Sequence, residues 1–386
     1  MQQAEDKRLT DVISVPRRAE RRSIGAILDA ASPNVLLLPA VVIVLVLSLF
    51  PLIVSLYLSL SRFQFVRGGF QITFIGFRNY EKLLFGSEQR HFLGKLGVIE
   101  PIWLVLLAVL GVSMAVMFFQ YATSSRMKPF GLIMRVITVA LTAAFALLMA
   151  STLSGEGLPG TIVVTLIFVF GSVTLQYFIG LGLALLLSQN LPGKRFFRIA
   201  FLLPMMITPV GIGFLFKMLT NTTQGPFAPL WIALGLIDYS WVQDAGTARL
   251  AVIIGDVWQW TPFMFIILLA ALEGVSRETV EAGLVDGANR TQLFRFILLP
   301  EIVPVSTTLI LIRLIEAFKI VDMPNILTGG GPGTATESVT LHAYNNWRAL
   351  DLGLSSALSY LLLFTVTFVA MVFVNFVRHR AIEAVG

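Results

Sequence analysis

The sequence predicts an all-α, polytopic membrane protein. Of its 386 residues, 56% are hydrophobic and only 13% charged, with a mean hydropathy of +0.83; soluble domains carry about 25% charge. Apolar segments long enough to cross a bilayer, which takes about 20 residues, recur along the chain. None alternates as a membrane-barrel strand does. In lipid every backbone polar group must find its partner within the chain, which leaves the helix as the spanning element.

The elements follow in order. Residues 1–30 are polar and basic and predict a disordered arm. The apolar run after it is longer than the roughly 7–15 residues of a signal-peptide core, so it predicts a retained first helix at 34–60. Further spans are expected at 101–120, 131–152, 160–188, 196–219, 248–273, 302–323 and 354–377, eight in all within one transmembrane domain, 31–386.

Lys and Arg collect on the cytoplasmic side of membrane proteins, and this orients the bundle. Lys7, Arg8, Arg17, Arg18, Arg21 and Arg22 place the N-terminus inside. With eight spans, Arg126 and Lys128, then Lys194, Arg195 and Arg198, then Arg277, Arg290 and Arg295, and finally Arg378 and Arg380 all fall inside as well. The 153–159 and 220–247 connections lack Lys and Arg within their turns and fall outside. The 61–100 loop is outside yet basic; long loops obey the rule weakly. Both termini are therefore expected in the cytoplasm. The formal charge of +6 is accounted for this way, without nucleic acid. The chain has no cysteine, which excludes thiol chemistry and Cys-ligated metals, and its three histidines make a histidine metal site an unfavoured reading.

One polar stretch interrupts this pattern: EAGLVDGANRTQLFRFILLP at 281–300. Ser276 is placed to cap a short helix with Glu278 in its first turn. Gly287 can end that helix in the left-handed conformation, and Thr291 can cap a second. The result would be a bent pair of helices on the cytoplasmic surface, able to sit in a partner's cleft. Glu281, Ala282, Asp286, Gly287, Ala288, Phe294, Ile297, Leu299 and Pro300 match EAAxxDGAxxxxxFxxIxLP. The stretch resembles the "EAA" loop of permease subunits of ABC importers, in particular carbohydrate permeases similar to those for maltose, trehalose and glycerol phosphate. Gly283 departs from the usual Ala. The resemblance extends over 34–80 and 160–380, including DVWQWTPF (256–263) and EAFKIVDMPNILTGGGP (316–332). It implies a six-helix core with an inserted helix pair, 101–152.

The resemblance also implies function: half of a permease heterodimer in a bacterial inner membrane, with 276–300 docking a separate ATPase through Glu281, Ala282, Asp286, Gly287, Ala288 and Pro300. ATP and Mg would be bound by the ATP-binding cassette subunits. An extracytoplasmic solute-binding protein would deliver a carbohydrate. The residues agree on the division of labour, because the chain has no G-x-x-x-x-G-K-[ST] phosphate loop. GGGPGT at 329–334 lacks the Lys, and Pro192-Gly193-Lys194-Arg195 lacks the Ser or Thr.

Ionisable groups inside a membrane are expensive and tend to face a bundle interior or a polar path. Arg313, Glu316, Lys319 and Asp322 lie three apart with alternating sign on the expected 302–323 helix. Each can pair with its neighbour. They read either as a self-neutralising ladder or as a polar wall for a hydroxyl-rich solute. Asp256, Trp258, Trp260 and Phe263 can stack on sugar rings and accept hydroxyl protons, or can form an interfacial aromatic belt. The glycine-rich 327–337 loop reads as too flexible for a scaffold. Glu278 and Glu281 lack a pocket and are not read as hydrolytic carboxylates. Two other classes remain. An ion-driven transporter would show internal repeats, and none is evident. A membrane anchor would not need the intramembrane charges.

Overall fold

The computed structural model describes residues 37–123, 129–189, 191–236 and 238–383. The expected basic arm, 1–30, lies outside the described residues. The chain divides into two compact units, Met1–Tyr57 and Leu58–Gly386. The first contributes most of α1, Leu37–Ser59, whose apolar side chains are exposed in the manner of a lipid-facing helix.

The second unit begins with a hairpin, β1 Ser61–Val66 and β2 Gly69–Phe74, followed by two short helices, α2 Arg78–Leu84 and α3 Gln89–Phe92. Strand β3, Gly94–Lys95, pairs antiparallel with β4, Leu158–Pro159. Between them run α4, Pro101–Ala122, and α5, Pro129–Thr152. The bundle proper is α6 Thr161–Leu187, α7 Lys194–Met206, α8 Pro209–Leu219, the short α9 Ala228–Ala233, α10 Ala245–Glu273, α11 Arg277–Val285, α12 Arg290–Ala317, α13 Asp322–Leu327, α14 Val339–Arg348 and α15 Leu352–Glu383.

The core is built where α6, α10 and α12 meet, through Leu166, Val169, Leu181, Met264, Phe265, Leu268, Ile302 and Leu309. The approach of α6 to α10 depends on Gly180: a Cβ there would lie 2.7 Å from Met264 Cβ and 3.0 Å from Phe265 N. Large apolar side chains from α10 can fill that gap because α6 presents only backbone to them.

Two expectations are corrected, and the count of eight spans is not confirmed. The eight spans are not reached among the described residues: six helices are long and apolar enough to cross a membrane, or seven if one bent pair counts as a span. Helix α4 runs for 22 residues, Pro101–Ala122, without a charged side chain. The expected single span 196–219 is bent by 97° between α7 and α8. Pro204 sits in the last turn of α7, and Thr208, in extended conformation, caps α8 by accepting from the Gly211 N–H at 3.3 Å, with Pro209 opening α8. Both prolines lack a helix-continuing N–H, so a cap replaces the missing ladder. The expected helix 302–323 ends at Ala317 and resumes only at Asp322. Ser338 Oγ donates to Ile320 O at 2.6 Å and Thr340 Oγ1 to Phe318 O at 3.0 Å, so side chains of the following segment take over carbonyls that a continuing helix would have used.

Candidate functional site

Two places in the fold carry the residues singled out by sequence: the 276–300 loop and the α6–α10–α12 contact.

In the loop, Ser276 caps α11 as expected, its Oγ accepting from the Thr279 N–H at 3.2 Å, with Glu278 in the first turn. Helix α11 ends at Gly287 with φ +80°, and the Ala288 N–H returns to Gly283 O at 3.0 Å. The second cap is Asn289, not Thr291. Asn289 Oδ1 accepts from the Gln292 N–H at 2.9 Å, and Gln292 Oε1 accepts from the Asn289 N–H at 2.9 Å, a reciprocal box that Thr291 could not form. Nor is the second helix short. A π-helical turn at Phe294–Leu298 carries it directly into the long span, so α12 runs from Arg290 to Ala317. Pro300 has no N–H for a carbonyl one turn back, and the wider turn lies immediately before it.

The loop's surface is mixed. Glu281, Ala282, Asp286 and Gly287 are exposed, beside Leu284 at 55%, Val285 at 88% and Phe296 at 69% exposure. Asp286, Gly287, Ala288, Gln292, Phe296 and Ile297 line a shallow pocket. Gly283, the departure from the pattern, is buried, and a Cβ there would press on Ile297 Cδ1. The glycine lets α11 lie flat on the start of α12.

The intramembrane residues divide into two groups. Arg313, only 2% exposed, donates from Nε to Gln176 Oε1 at 2.8 Å and from Nη2 to Asp256 Oδ2 at 2.7 Å. Gln176 Nε2 donates to the same carboxylate at 2.9 Å and to Asp256 O at 3.1 Å. The Arg313 guanidinium lies 4.8 Å from the Trp260 ring. Sequence spacing paired Arg313 with Glu316; its ion pair is instead with Asp256 on α10. Gln176 thus bridges the guanidinium and the carboxylate, adding hydrogen bonds of the kind a buried ion pair needs to persist. Gln176 was missed, though a lone amide in the apolar α6 is a signal. Trp258 lies two residues from Trp260, on another face of α10; it is 38% exposed and meets the Phe216 ring at 5.8 Å. Glu316 and Lys319 pair with each other at 2.8 Å and are exposed; Asp322, half-buried, opens α13.

The glycine-rich 327–337 segment is not the loose loop expected. Thr336 is fully buried; its N–H donates to Gly330 O at 3.0 Å and its Oγ1 to Gly331 O at 2.9 Å. Arg249 Nε donates to Ala335 O at 2.7 Å. Gly329, Gly330 and Gly333 take positive φ to make the turns.

Next to it lies a cluster that sequence reasoning did not find. Glu337 Oε2 lies 2.6 Å from His91 Nε2, and Asn345 Nδ2 donates to Glu337 Oε1 at 2.8 Å. The His91 ring stacks on His342 at 3.8 Å, and Thr161 Oγ1 is 3.3 Å from His342 Nδ1. The hydrogen bond to Glu337 raises the His91 pKa against the effect of burial, helped by the charges of Glu337 and Glu88. Burial alone would raise Glu337, but the bonds from His91 and Asn345 and the His91 charge hold it below the usual carboxylate value. His342 is lowered to about 4, first by burial and then by the His91 charge. Donor atoms of Glu88, His91 and His342 lie within 4.8 Å of one another.

The chain resembles known transport proteins over the same region. A family model described as "Binding-protein-dependent transport system inner membrane component" matches residues 176–383, just over half of the chain. The trehalose/maltose transport system permease protein MalF of Thermococcus litoralis is 35% identical over 56% of this chain and 74% of its own length. The sn-glycerol-3-phosphate transport system permease protein UgpA of Pectobacterium atrosepticum is 32% identical over 56% and 74%. The trehalose transport system permease protein SugA of Mycobacterium tuberculosis is 32% identical over 55% and 67%. A chain of a bacterial alginate ABC transporter, solved with an alginate pentasaccharide-bound periplasmic protein, superposes with a TM-score of 0.50 at 23% identity, over 57% of this chain and 76% of that one; at that identity the likeness is one of fold. With the spans and the polar loop in place, these matches show that the chain belongs to the binding-protein-dependent transport inner membrane components, the multi-pass permease subunits of ABC importers, in which ATP is hydrolysed by a partner subunit rather than by the permease itself.

Proposed function

We propose that the protein forms half of the translocation pore of a carbohydrate importer and couples that pore to a separate ATPase through the 276–300 loop. The observation that carries this reading is the continuity of α12. The exposed loop and the buried ion pair are opposite parts of one helix, Arg290–Ala317. From Arg290 to Arg313 the helix rises roughly 35 Å. A push on the loop therefore reaches Arg313, where α6, α10 and α12 are bound together. In this proposal Glu281, Ala282, Asp286, Gly287, Ala288 and Pro300 form the docking element, with Leu284, Val285 and Phe296 as its apolar contact. Glu316, Lys319, Asp322 and Trp258 remain the accessible candidates for the solute path. Arg313, Asp256 and Trp260 act on that path by holding its helices in one arrangement.

The partners in this reading are two ATP-binding cassette subunits carrying ATP and Mg, a second permease subunit, an extracytoplasmic solute-binding protein and membrane lipid. The likenesses to trehalose and maltose permeases support a sugar. The likeness to a glycerol-phosphate permease supports a polyol phosphate as the second reading, and competition for uptake between labelled trehalose and glycerol 3-phosphate separates them. In this proposal α4 crosses the membrane and both termini lie in the cytoplasm, so reporter fusions at Ser154 and Ala384 should report opposite sides. The central test is Glu281→Lys and Gly287→Trp. Each should abolish solute-stimulated ATP hydrolysis by the assembled transporter while the chain still inserts; normal stimulation in both would overturn the coupling role.

A further inference from the structure

The hairpin β1–β2 has an apolar face, much of it exposed. Its register pairs Ser61 with Phe74, Phe63 with Ile72 and Phe65 with Phe70, and on the alternate positions Arg62 with Thr73 and Gln64 with Gln71. Cross-strand partners share a face of a sheet. One face is therefore Ser61, Phe63, Phe65, Phe70, Ile72 and Phe74, and the other is Arg62, Gln64, Val66, Gly69, Gln71 and Thr73. Phe65, Phe70 and Phe74 are 61–63% exposed. An isolated two-stranded hairpin is marginal in water, so this face calls for an occupant.

Its place in the fold narrows the choice. The chain leaves the spanning helix α1 at Ser59 and enters β1 at Ser61. Asn79 Nδ2 donates to Ser59 O at 2.9 Å and to Ser61 O at 3.0 Å, pinning the base of the hairpin. Gly353, at the start of the spanning helix α15, lies so close to Ser61 O that any side chain there would strike it. The hairpin thus springs from the level at which spanning helices emerge. Its charge is one-sided as well: Arg62, Arg67 and Arg78 are exposed, and no Asp or Glu occurs between Leu60 and Tyr80.

We infer that the hairpin is a lipid-binding element that lays its phenylalanine face into the membrane interface and sets Arg62, Arg67 and Arg78 among the phosphates of anionic phospholipids. An amphipathic element with aromatic residues below and cations above is the arrangement that binds such a surface. The face is roughly 20 Å by 10 Å, well short of the about 800 Å² per partner that a stable protein interface buries. It is nonetheless sufficient for five side chains to anchor in the interface.

The chain has no cysteine, so single-cysteine spin labels are clean. Phe65→Cys and Gln64→Cys place labels on opposite faces of one strand while Phe63, Phe70 and Phe74 remain. In the full chain, both in nanodiscs and in native membrane vesicles, the label at 65 should collide freely with oxygen and poorly with a water-soluble nickel chelate. The label at 64 should show the reverse order. Equal access of the chelate to both would overturn the proposal, and so would shielding of position 65 from both reagents, the result expected if a protein covers the face. In nanodiscs, adding phosphatidylglycerol to phosphatidylcholine should shift label 65 deeper, and Arg62→Glu with Arg67→Glu should abolish that shift. An unchanged depth in the two lipids would overturn the role given to the arginines. These readouts do not depend on ATP coupling or on the solute.

Discussion

Among the described residues, two buried ionic clusters are built from different chemistry. Within the spans, Arg313 meets Asp256 and Gln176, each on another helix. Beyond the end of α12, Glu337 meets His91, which stacks on His342. The first uses a guanidinium that keeps its charge throughout the physiological range. The second uses imidazoles, whose charge changes close to neutrality. A permanent pair fixes how three helices sit together, whereas the histidine cluster makes the contact between α3 and α14 responsive to the medium. The 276–300 loop is the contrasting case, since Glu281 and Asp286 are exposed.

The largest expected effect is at Arg313. Arg313→Met leaves the Asp256 carboxylate buried without its cation, which costs about 3–5 kcal/mol. The variant should lose most of its thermal stability in detergent. Adding Asp256→Leu removes the orphaned charge and should recover much of the loss, as followed by fluorescence-detected size exclusion after heating. A double variant as unstable as the single one would break the comparison, because the pair would then not be the unit that matters.

The histidine cluster should respond to pH. His342 titrates at about 4 when folded, against its ordinary 6.5. Below 6.5 the unfolded chain takes up a proton that the folded chain refuses, so stability falls as the medium is acidified. Between pH 6.5 and 5 this amounts to about 2 kcal/mol. The raised His91 works in the other direction: its contribution is complete below 6.5 and is lost as pH rises through its folded value. The lowered Glu337 contributes above its ordinary 4.5 and loses that as pH falls. Stability should therefore peak near neutrality. His342→Gln should flatten the acid side of a melting-temperature profile, and an unchanged acid slope would remove His342 as its source.

The smallest effect on stability is expected in the loop. Glu281→Gln should leave the melting temperature unchanged while reducing solute-stimulated ATP hydrolysis. A stability loss as large as that of Arg313→Met would erase the distinction between buried and exposed charge.

Much of this was legible in the sequence where the cause is local. The Ser276 cap, the left-handed Gly287 and the apolar runs of α6, α10 and α15 follow from neighbouring residues. The Asn289–Gln292 box was also legible, since an amide cap three residues before Gln is its signature; Thr291 was the weaker choice of two caps. The bend at 207–209 had its prolines in view, but a run of apolar residues on both sides masked them. What could not be read is non-local. Glu316 stands three residues from Arg313 and Asp256 stands fifty-seven before it, and only the packing of α10 against α12 decides between them. In the same way, the end of α12 at Ala317 is set by Ser338 and Thr340, whose bonds arrive from a later segment.

The π-helical turn at Phe294–Leu298 has a consequence for the phase of α12. Each residue of an α-helix advances the side chain by about 100° around the axis. The wide turn absorbs one extra residue between the loop and the span, so it sets the angle at which the two ends of the helix face their surroundings. With that residue in place, α11 lies on Ile297 while Arg313, further along, faces Asp256. Removing it would turn Arg313 about a quarter of a revolution away from its carboxylate relative to the loop. The turn therefore works as a gear tooth, keeping the surface offered to a partner and the charge held among the helices in a fixed angular relation.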